Sequence, residues 1–231
     1  MPKFSLDALD LAALLSSRVC HDVISPVGAI INGLEVLEDE KDAEMRGHAL
    51  DLIKSSASEA SARLQFCRLA FGAAGSKGAA IDTGDAEHVA RQLFADERTR
   101  MEWKLPRALM GKNKVKLLLN LCLIADMAIP RGGALTISGQ GEGDEISFRV
   151  EAKGPNARLA PEVVRLLSGE SDEATLDARA IQAYYAGLVA QACGLEVTPS
   201  GGGGDAIVIE AKPKVSPTAE EDVRAPQSAV A

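Results

Sequence analysis

The feature of this sequence that most limits its fold is a long amphipathic run near the N-terminus. Its apolar residues recur at steps of three or four, with a mean spacing of about 3.6 residues, which is the period of an α-helix. The run therefore predicts one continuous helix of roughly eight turns with one apolar face along its length. The residues of that face are Ala8, Leu11, Leu15, Val19, Val23, Val27, Ile30, Leu34 and Leu37.

A second run with a similar period extends from Met45 to Phe71, after a charged segment at 38–42 in which Asp42 is placed to cap the next helix. Two long helices joined by a short turn predict an antiparallel hairpin. Because each helix can cover only part of the other's apolar face, we expect two hairpins to pair about a two-fold axis. The prediction is a homodimer built on a four-helix bundle.

His21 lies inside the first run, on the face opposite its apolar residues. An imidazole can act as a nucleophile near neutral pH, and Asp22 beside it can orient the ring and stabilise positive charge on it. Pro26 cannot donate a hydrogen bond to the carbonyl of Asp22, which loosens the helix after the histidine. A surface histidine followed by a helix kink is the simpler interpretation of the same residues.

The motif His21-Asp22-x-x-Ser25-Pro26 resembles the phospho-acceptor motif of two-component histidine kinases, in which a proline stands five residues after the histidine. The run 11–37 is more similar still to the ChpT-type histidine phosphotransferases of the alphaproteobacterial cell-cycle phosphorelay. That resemblance implies that His21 accepts a phosphoryl group from the receiver domain of a CckA-like hybrid kinase. It also implies transfer onward to CtrA- or CpdR-like response regulators, with Mg²⁺ supplied by the receiver and no cofactor bound by this chain.

In this interpretation the residues around His21 take definite roles. Asp22 would orient the imidazole, and Arg18 would neutralise phosphate oxygens. Leu14, two turns before the histidine, is predicted to be an apolar anchor for the receiver on the outer face. The rest of that face carries small residues, which would let a receiver approach closely but are also common on any exposed helix: Ser17, Ser25, Gly28 and Asn32.

Two other histidines compete for a functional role. His48 also lies on a predicted long helix, but neither an acid nor a proline follows it, so we expect it on the flank of the bundle. His88 lies in a helix that Asp85 is predicted to cap, and it has no partner at the spacing of a metal site.

The chain as a whole predicts an α+β fold. The hairpin at 1–72 is followed by a linker at 73–84, an α/β domain at 85–211 and a disordered tail at 212–231, which lacks an apolar period and contains several prolines. Helices are expected to pack on a largely antiparallel or mixed sheet. The predicted helices cover 85–97, 112–128, 161–168 and 175–193, and the predicted strands cover 100–105, 134–139, 145–152, 195–199 and 205–211.

This order of elements resembles the ATP-binding domain of histidine kinases, but the positions that would bind nucleotide differ. Ile124 stands where the resemblance places the asparagine that holds Mg²⁺, and an isoleucine offers no oxygen to a hard cation. Ala152 replaces the adenine-recognising aspartate, and 179–182 replaces the last glycine box. The sequence thus predicts a degenerate domain without ATP binding. An ATP-using kinase and a non-catalytic dimeric scaffold stay open as alternatives, because fold alone does not fix function.

Composition excludes several other classes. A formal net charge of −8 argues against duplex nucleic-acid binding, and 3% aromatic residues provide few stacking platforms for bases. The four cysteines are scattered, which indicates neither a zinc site nor a disulfide scaffold. No signal peptide and no uninterrupted apolar run of about 18 residues is apparent, so we expect a cytoplasmic protein that does not bind membranes.

Overall fold

The computed structural model describes residues 6–72, 79–95, 98–169, 176–201 and 205–214. The chain begins with two long helices, α1 (Ala8–Asp39) and α2 (Ala43–Ala70), which pack against each other as an antiparallel hairpin. Helix α1 continues through Pro26 without interruption. The predicted hairpin is therefore present, since the apolar period located both helices.

Local contacts define the start of α2 and the place where α1 and α2 approach each other. Asp42 caps α2, because its carboxylate accepts hydrogen bonds from the backbone N–H groups of Glu44 and Met45, each at 3.0 Å. The two helices approach closely at Gly33, which is buried. A Cβ atom at this position would lie 2.7 Å from Cγ1 of Ile53 on α2, so only glycine allows this spacing.

The second part of the chain forms an α/β layer. A five-stranded sheet has the strand order β2-β4-β5-β7-β6, and a separate two-stranded sheet pairs β1 with β3. The helices of this layer are α3 (Thr83–Phe94), α4 (Lys112–Met127), α5 (Pro161–Leu167) and α6 (Ile181–Ala192). The strands are β1 (Ala80–Asp82), β2 (Thr99–Trp103), β3 (Leu109–Gly111), β4 (Gly133–Gln140), β5 (Ser147–Lys153), β6 (Leu195–Ser200) and β7 (Ala206–Pro213).

The larger sheet is mixed, as predicted. Strands β2 and β4 run parallel, whereas the β4–β5, β5–β7 and β6–β7 pairs are antiparallel. One face carries buried apolar side chains such as Ile137, Phe148 and Ile209, on which the helices pack. The other face is charged, with Arg149 paired to Glu210 across the strands. The sheet is therefore one layer of a two-layer sandwich.

The beginning of the layer differs from the prediction. Strand β1 and the first residues of α3 lie within 73–84, which was expected to be a linker, while 73–78 lie outside the described residues. The cap of α3 is Asp82 and not Asp85, because Asp82 has an extended backbone from which its carboxylate accepts the N–H of Gly84 at 2.7 Å. That bond, together with the Arg107 guanidinium, lowers the pKa of Asp82.

The last elements also have shifted boundaries. Helix α6 begins at Ile181 rather than at 175, because Asp177 accepts hydrogen bonds from the N–H groups of Arg179 and Ala180 and holds a turn just before the helix. Strand β7 extends through Pro213, into the segment predicted to be a tail. The remainder of that segment, 215–231, lies outside the described residues.

The hairpin and the layer share one hydrophobic core. Phe66, Leu69 and Ala70 at the end of α2 are buried with the apolar side chains of α3 and α4. The Phe66 ring meets the Phe94 ring of α3 edge to face, with 5.4 Å between centroids. This junction fixes the layer beside the helix that carries His21.

Candidate functional site

His21 lies in the middle of α1 on an open face. Its side chain is 60% exposed, and Ser17, Ser25 and Asn32 on the neighbouring turns are exposed as well. A Cβ atom at Gly28 would have no other atom within 4 Å. The structure thus places these predicted residues together and leaves room for another molecule to approach the imidazole.

Asp22 connects His21 to Arg18. The Nε of Arg18 donates a hydrogen bond to Oδ2 of Asp22 at 3.0 Å, and the other carboxylate oxygen lies 3.6 Å from Nδ1 of His21. The side chains of Arg18 and Asp22 are only 11% and 16% exposed, so water screens this ion pair weakly. A distance of 3.6 Å is longer than a hydrogen bond, but a small rotation of the imidazole would form one. The arrangement holds an acceptor beside Nδ1 and leaves Nε2 for outside chemistry.

The inner side of this pair contacts α2. The Cys67 thiol is buried there, and its burial, with a smaller contribution from the charge of Asp22, raises the pKa of Cys67 to about 11. A thiol with such a pKa stays protonated at neutral pH and is a poor nucleophile. Cys67 therefore takes part in the packing of α2 against α1 and is not a candidate for the chemistry at His21.

Leu14 does not lie where the helical period placed it. It is half-buried and packs against the core of the α/β layer, together with Leu11 and Leu15. The start of α1 is held over α6, where the N–H of Leu6 donates to the hydroxyl of Tyr184 at 2.9 Å. Leu14 is thus a packing residue at the junction and not a free anchor on the outer face. The sequence of α1 does not indicate that the α/β layer packs on its first turns.

A cleft of about 1160 Å³ runs between the hairpin and the layer, next to the site. Arg18 and Asp22 belong to its hairpin wall, and Phe94 and Leu123 belong to its layer wall. A molecule that reaches His21 from this side would therefore meet both parts of the chain.

A second feature of α1 is an exposed apolar strip, which combines Val27 and Leu34 of the predicted apolar face with Ile24 and Ile31, which that face did not include. Ile24, Val27, Ile31 and Leu34 recur at steps of three and four and all remain exposed. The spacing of Ile24 and Ile31, one heptad apart, was the signal in the sequence.

By length and composition alone α1 also passes as a membrane span, which is weak evidence because soluble core helices pass the same test.

The other histidines differ from His21 in their surroundings. His48 is exposed and lies 4.0 Å from Glu44, one turn earlier on α2. His88 is exposed on α3. Within the described ranges, no three His, Cys, Asp or Glu side chains lie close enough together to hold a metal ion.

The residues at the degenerate nucleotide positions do not fit a nucleotide. Ile124 and Gln182 are buried, and with Arg179 they line a cavity of only about 100 Å³. Sites for drug-sized ligands usually enclose about 300–1,000 Å³. Ile124 holds the position where Mg²⁺ would require an oxygen ligand, and its side chain supplies none. No step of the chemistry is therefore assigned to ATP.

Comparison with known proteins gives consistent matches. The family model for the histidine phosphotransferase C-terminal domain matches residues 83–204. Protein phosphotransferase ChpT of Brucella abortus (strain 2308) is 51% identical over 194 residues, which cover 84% of this chain and 91% of that protein. A solved bacterial phosphotransferase structure is 47% identical, with a TM-score of 0.83 over 91% of this chain and 99% of that one. The Acinetobacter baumannii histidine kinase AdeS matches at 14% identity and a TM-score of 0.44, which supports no further argument.

Proposed function

The chain belongs to the histidine phosphotransferase family of ChpT, and we propose that His21 is the residue through which it carries a phosphoryl group between receiver-domain aspartates. The observation that supports this role is the exposed imidazole on an open helix face, with an ion-paired carboxylate 3.6 Å from Nδ1. We propose the receiver of a CckA-like hybrid kinase as donor and CtrA- or CpdR-like regulators as acceptors, in the cytoplasm.

The chemistry follows from the orientation of the ring. Nε2 of His21 attacks the phosphorus of the receiver's aspartyl phosphate, a P–N bond forms, and the P–O bond to the aspartate breaks. The carboxylate leaves, while Asp22 stabilises the positive charge that develops on the imidazole through Nδ1–H. Transfer onward is the reverse step on a second receiver, whose aspartate attacks the phosphorus and releases the imidazole. Mg²⁺ held by the receiver, as the resemblance implies, would neutralise charge on the phosphoryl oxygens.

Arg18 acts through Asp22 in this scheme. Its Nε is engaged with the carboxylate, so its first effect is to fix Asp22 beside the imidazole. Phosphoryl transfer depends largely on positioning and charge stabilisation, and a carboxylate that is already fixed does not have to be ordered during the reaction. The small residues Ser17, Ser25, Gly28 and Asn32 would then form the face on which the receiver docks.

We further propose that a second copy of the chain covers the exposed apolar strip of α1 in a four-helix bundle. Exposed apolar side chains also occur on α2, at Met45, Leu50, Leu52 and Leu64. Apolar surface of this extent on two adjacent helices favours association, since burying it releases about 25 cal/mol per Å². Each homodimer would carry two outward histidines.

The function is tested by incubating the protein with a ³²P-phosphorylated receiver domain from which ATP has been removed. We expect acid-labile, alkali-stable label on the wild-type protein and none on His21→Ala. His48→Ala is the matched control, because it removes the other exposed histidine of the hairpin and should retain the label. No label on the wild type from any of several receivers would favour the scaffold alternative, and label that requires added ATP would favour a kinase.

A further inference from the structure

The junction between the hairpin and the layer contains a buried polar pair that the proposed chemistry does not use. Asn120 on α4 and Gln182 on α6 are 0% and 1% exposed. Asn120 stands within the apolar run 117–122 of α4, where a leucine would satisfy packing alone. A buried amide costs free energy unless its hydrogen bonds are made, so the contacts of Asn120 need an explanation.

Asn120 connects three helices. Its Nδ2 donates to the carbonyl of Ala70, the last residue of α2, at 3.0 Å, and to the carbonyl of Lys116 on its own helix at 2.7 Å. Its Oδ1 accepts a hydrogen bond from Nε2 of Gln182. The carbonyl of Ala70 is one of the last four of α2, which have no partner within the helix. Asn120 therefore ties the end of the histidine hairpin directly to two helices of the layer.

This tie differs in kind from the apolar contacts around it. The Phe66–Phe94 contact and the other buried apolar residues hold the hairpin and the layer together, but burial of apolar surface has no preferred direction. Hydrogen bonds are directional, and three of them converge on one amide. Asn120 thus adds directional contacts to the apolar packing between the hairpin and the layer.

The angle between the hairpin and the layer matters because each of them forms one wall of the cleft beside His21. Arg18 and Asp22 stand on the hairpin wall, and Phe94 and Leu123 stand on the layer wall. We propose that Asn120 is a positioning residue, which holds the layer at a fixed angle to α2 and so presents a preformed two-walled surface to the receiver. This inference rests on the proposed function of His21. A preformed surface lowers the ordering cost of docking and of aligning the phosphorus with Nε2.

The test uses the double variant Asn120→Leu/Gln182→Met in the full chain. Replacing both polar partners by apolar side chains of similar size leaves neither side chain unsatisfied. Only the carbonyl of Ala70 loses its partner, so the fold should persist with reduced stability while the tie is lost. If it does not fold, Asn120→Ser replaces it, since a serine hydroxyl can bond the carbonyl of Lys116 but is too short to reach Ala70. Asn113→Leu is the matched control, on an exposed position of the same helix.

Two phosphodonors separate positioning from local damage. Phosphoramidate is a small donor that can label His21 without docking, as its P–N bond breaks, ammonia leaves and a new P–N bond forms on the imidazole. We expect the double variant to take label from phosphoramidate at the wild-type rate and from a phosphorylated receiver about tenfold more slowly. The Asn113→Leu control should match the wild type with both donors.

Equal receiver-dependent rates in the double variant and the control would overturn the positioning role. A parallel loss with both donors would also overturn it, because the pair would then act only by supporting the hairpin itself. A wild-type protein that takes label from phosphoramidate but from no receiver would contradict the proposed function, and the positioning role with it.

Discussion

Asp22 is held from one side by Arg18 and stands beside His21 on the other. Because Arg18 and Asp22 are both largely buried, removing the charge of one leaves the other poorly solvated. Asp22→Asn keeps the size of the side chain but loses this pairing. We expect the free energy of unfolding to fall by about 1–3 kcal/mol and transfer from a phosphorylated receiver to slow by about tenfold.

Urea unfolding and single-turnover transfer measure these two effects. Glu87→Gln is the control, because it removes an ion pair with Arg91 at the same i,i+4 spacing on α3, where both side chains are more exposed. It should change stability by less than about 1 kcal/mol and leave transfer unchanged. If Asp22→Asn transfers the phosphoryl group as fast as the wild type, Asp22 has no role in the transfer.

The cysteines should differ sharply in reactivity. Cys20 is exposed beside His21, whereas burial raises the pKa of Cys67 to about 11 and raises that of Cys122 further. At pH 8 only about one Cys67 side chain in a thousand is then a thiolate, the form that reacts. Iodoacetamide should modify Cys20 first, as mass spectrometry of the native protein would show. Modification of Cys67 as fast as that of Cys20 would contradict the packing of α1 on α2.

Within α1, two glycines in one helix should respond in opposite directions to alanine. At Gly33 a Cβ atom would lie 2.7 Å from Ile53 and 3.3 Å from the carbonyl of Ala49, so Gly33→Ala should destabilise by about 1–2 kcal/mol despite its better helix propensity. Gly28 has open space, and Gly28→Ala should stabilise by about 0.5–1 kcal/mol. Urea unfolding of the two variants compares them, and shifts of the same sign would show that the helices do not meet at Gly33.

The docking face on α1 is tested by a larger side chain. Gly28→Gln fits the open space and should keep the fold, but its side chain would hold a receiver away from His21 and slow transfer by about tenfold. Gly47→Gln on α2 is the matched control, because a Cβ atom there also meets nothing within 4 Å. Equal transfer rates for the two variants would show that the receiver docks on another face of the hairpin.

At the level of helices and strands, the sequence correctly predicted the features that depend on neighbouring residues. The apolar period found α1 and α2, and the capping position of Asp42 was correct because its carboxylate bonds N–H groups two and three residues on. Leu14 was misplaced because the layer packs on the first turns of α1, and a helical period reports a face but not which element covers it. Because Leu14 packs at this junction, Leu14→Asp should lower the free energy of unfolding as well as slow transfer.

Long-range polar contacts were the other part that the sequence did not reveal. No role for Asn120 was predicted from the sequence, although a polar residue within an apolar run indicates a buried partner. Its partners Ala70 and Gln182 are distant along the chain, and nothing local in the sequence specifies such pairings. The short strands β1 and β3 were missed for the same reason, since each is stabilised by the other.

For the molecule as a whole, the exposed apolar strip of α1 is the feature that calls for a second copy. Ile31→Asp places a charge in the middle of this strip and should convert the proposed homodimer to single chains, as light scattering coupled to size exclusion would measure. Leu109→Asp is the control, because Leu109 is also exposed but lies on β3, away from the hairpin. A wild-type protein that is a single chain at micromolar concentration would contradict the bundle.

The central claim is tested most directly by a complete relay between two receivers. One receiver is labelled with ³²P, ATP is removed, and a second, unlabelled receiver is added with Mg²⁺ and a substoichiometric amount of this protein. The account predicts that label moves to the second receiver with the wild type and with His48→Ala, and stays on the first with His21→Ala. Movement of label at the same rate with His21→Ala would show that the phosphoryl group does not pass through His21.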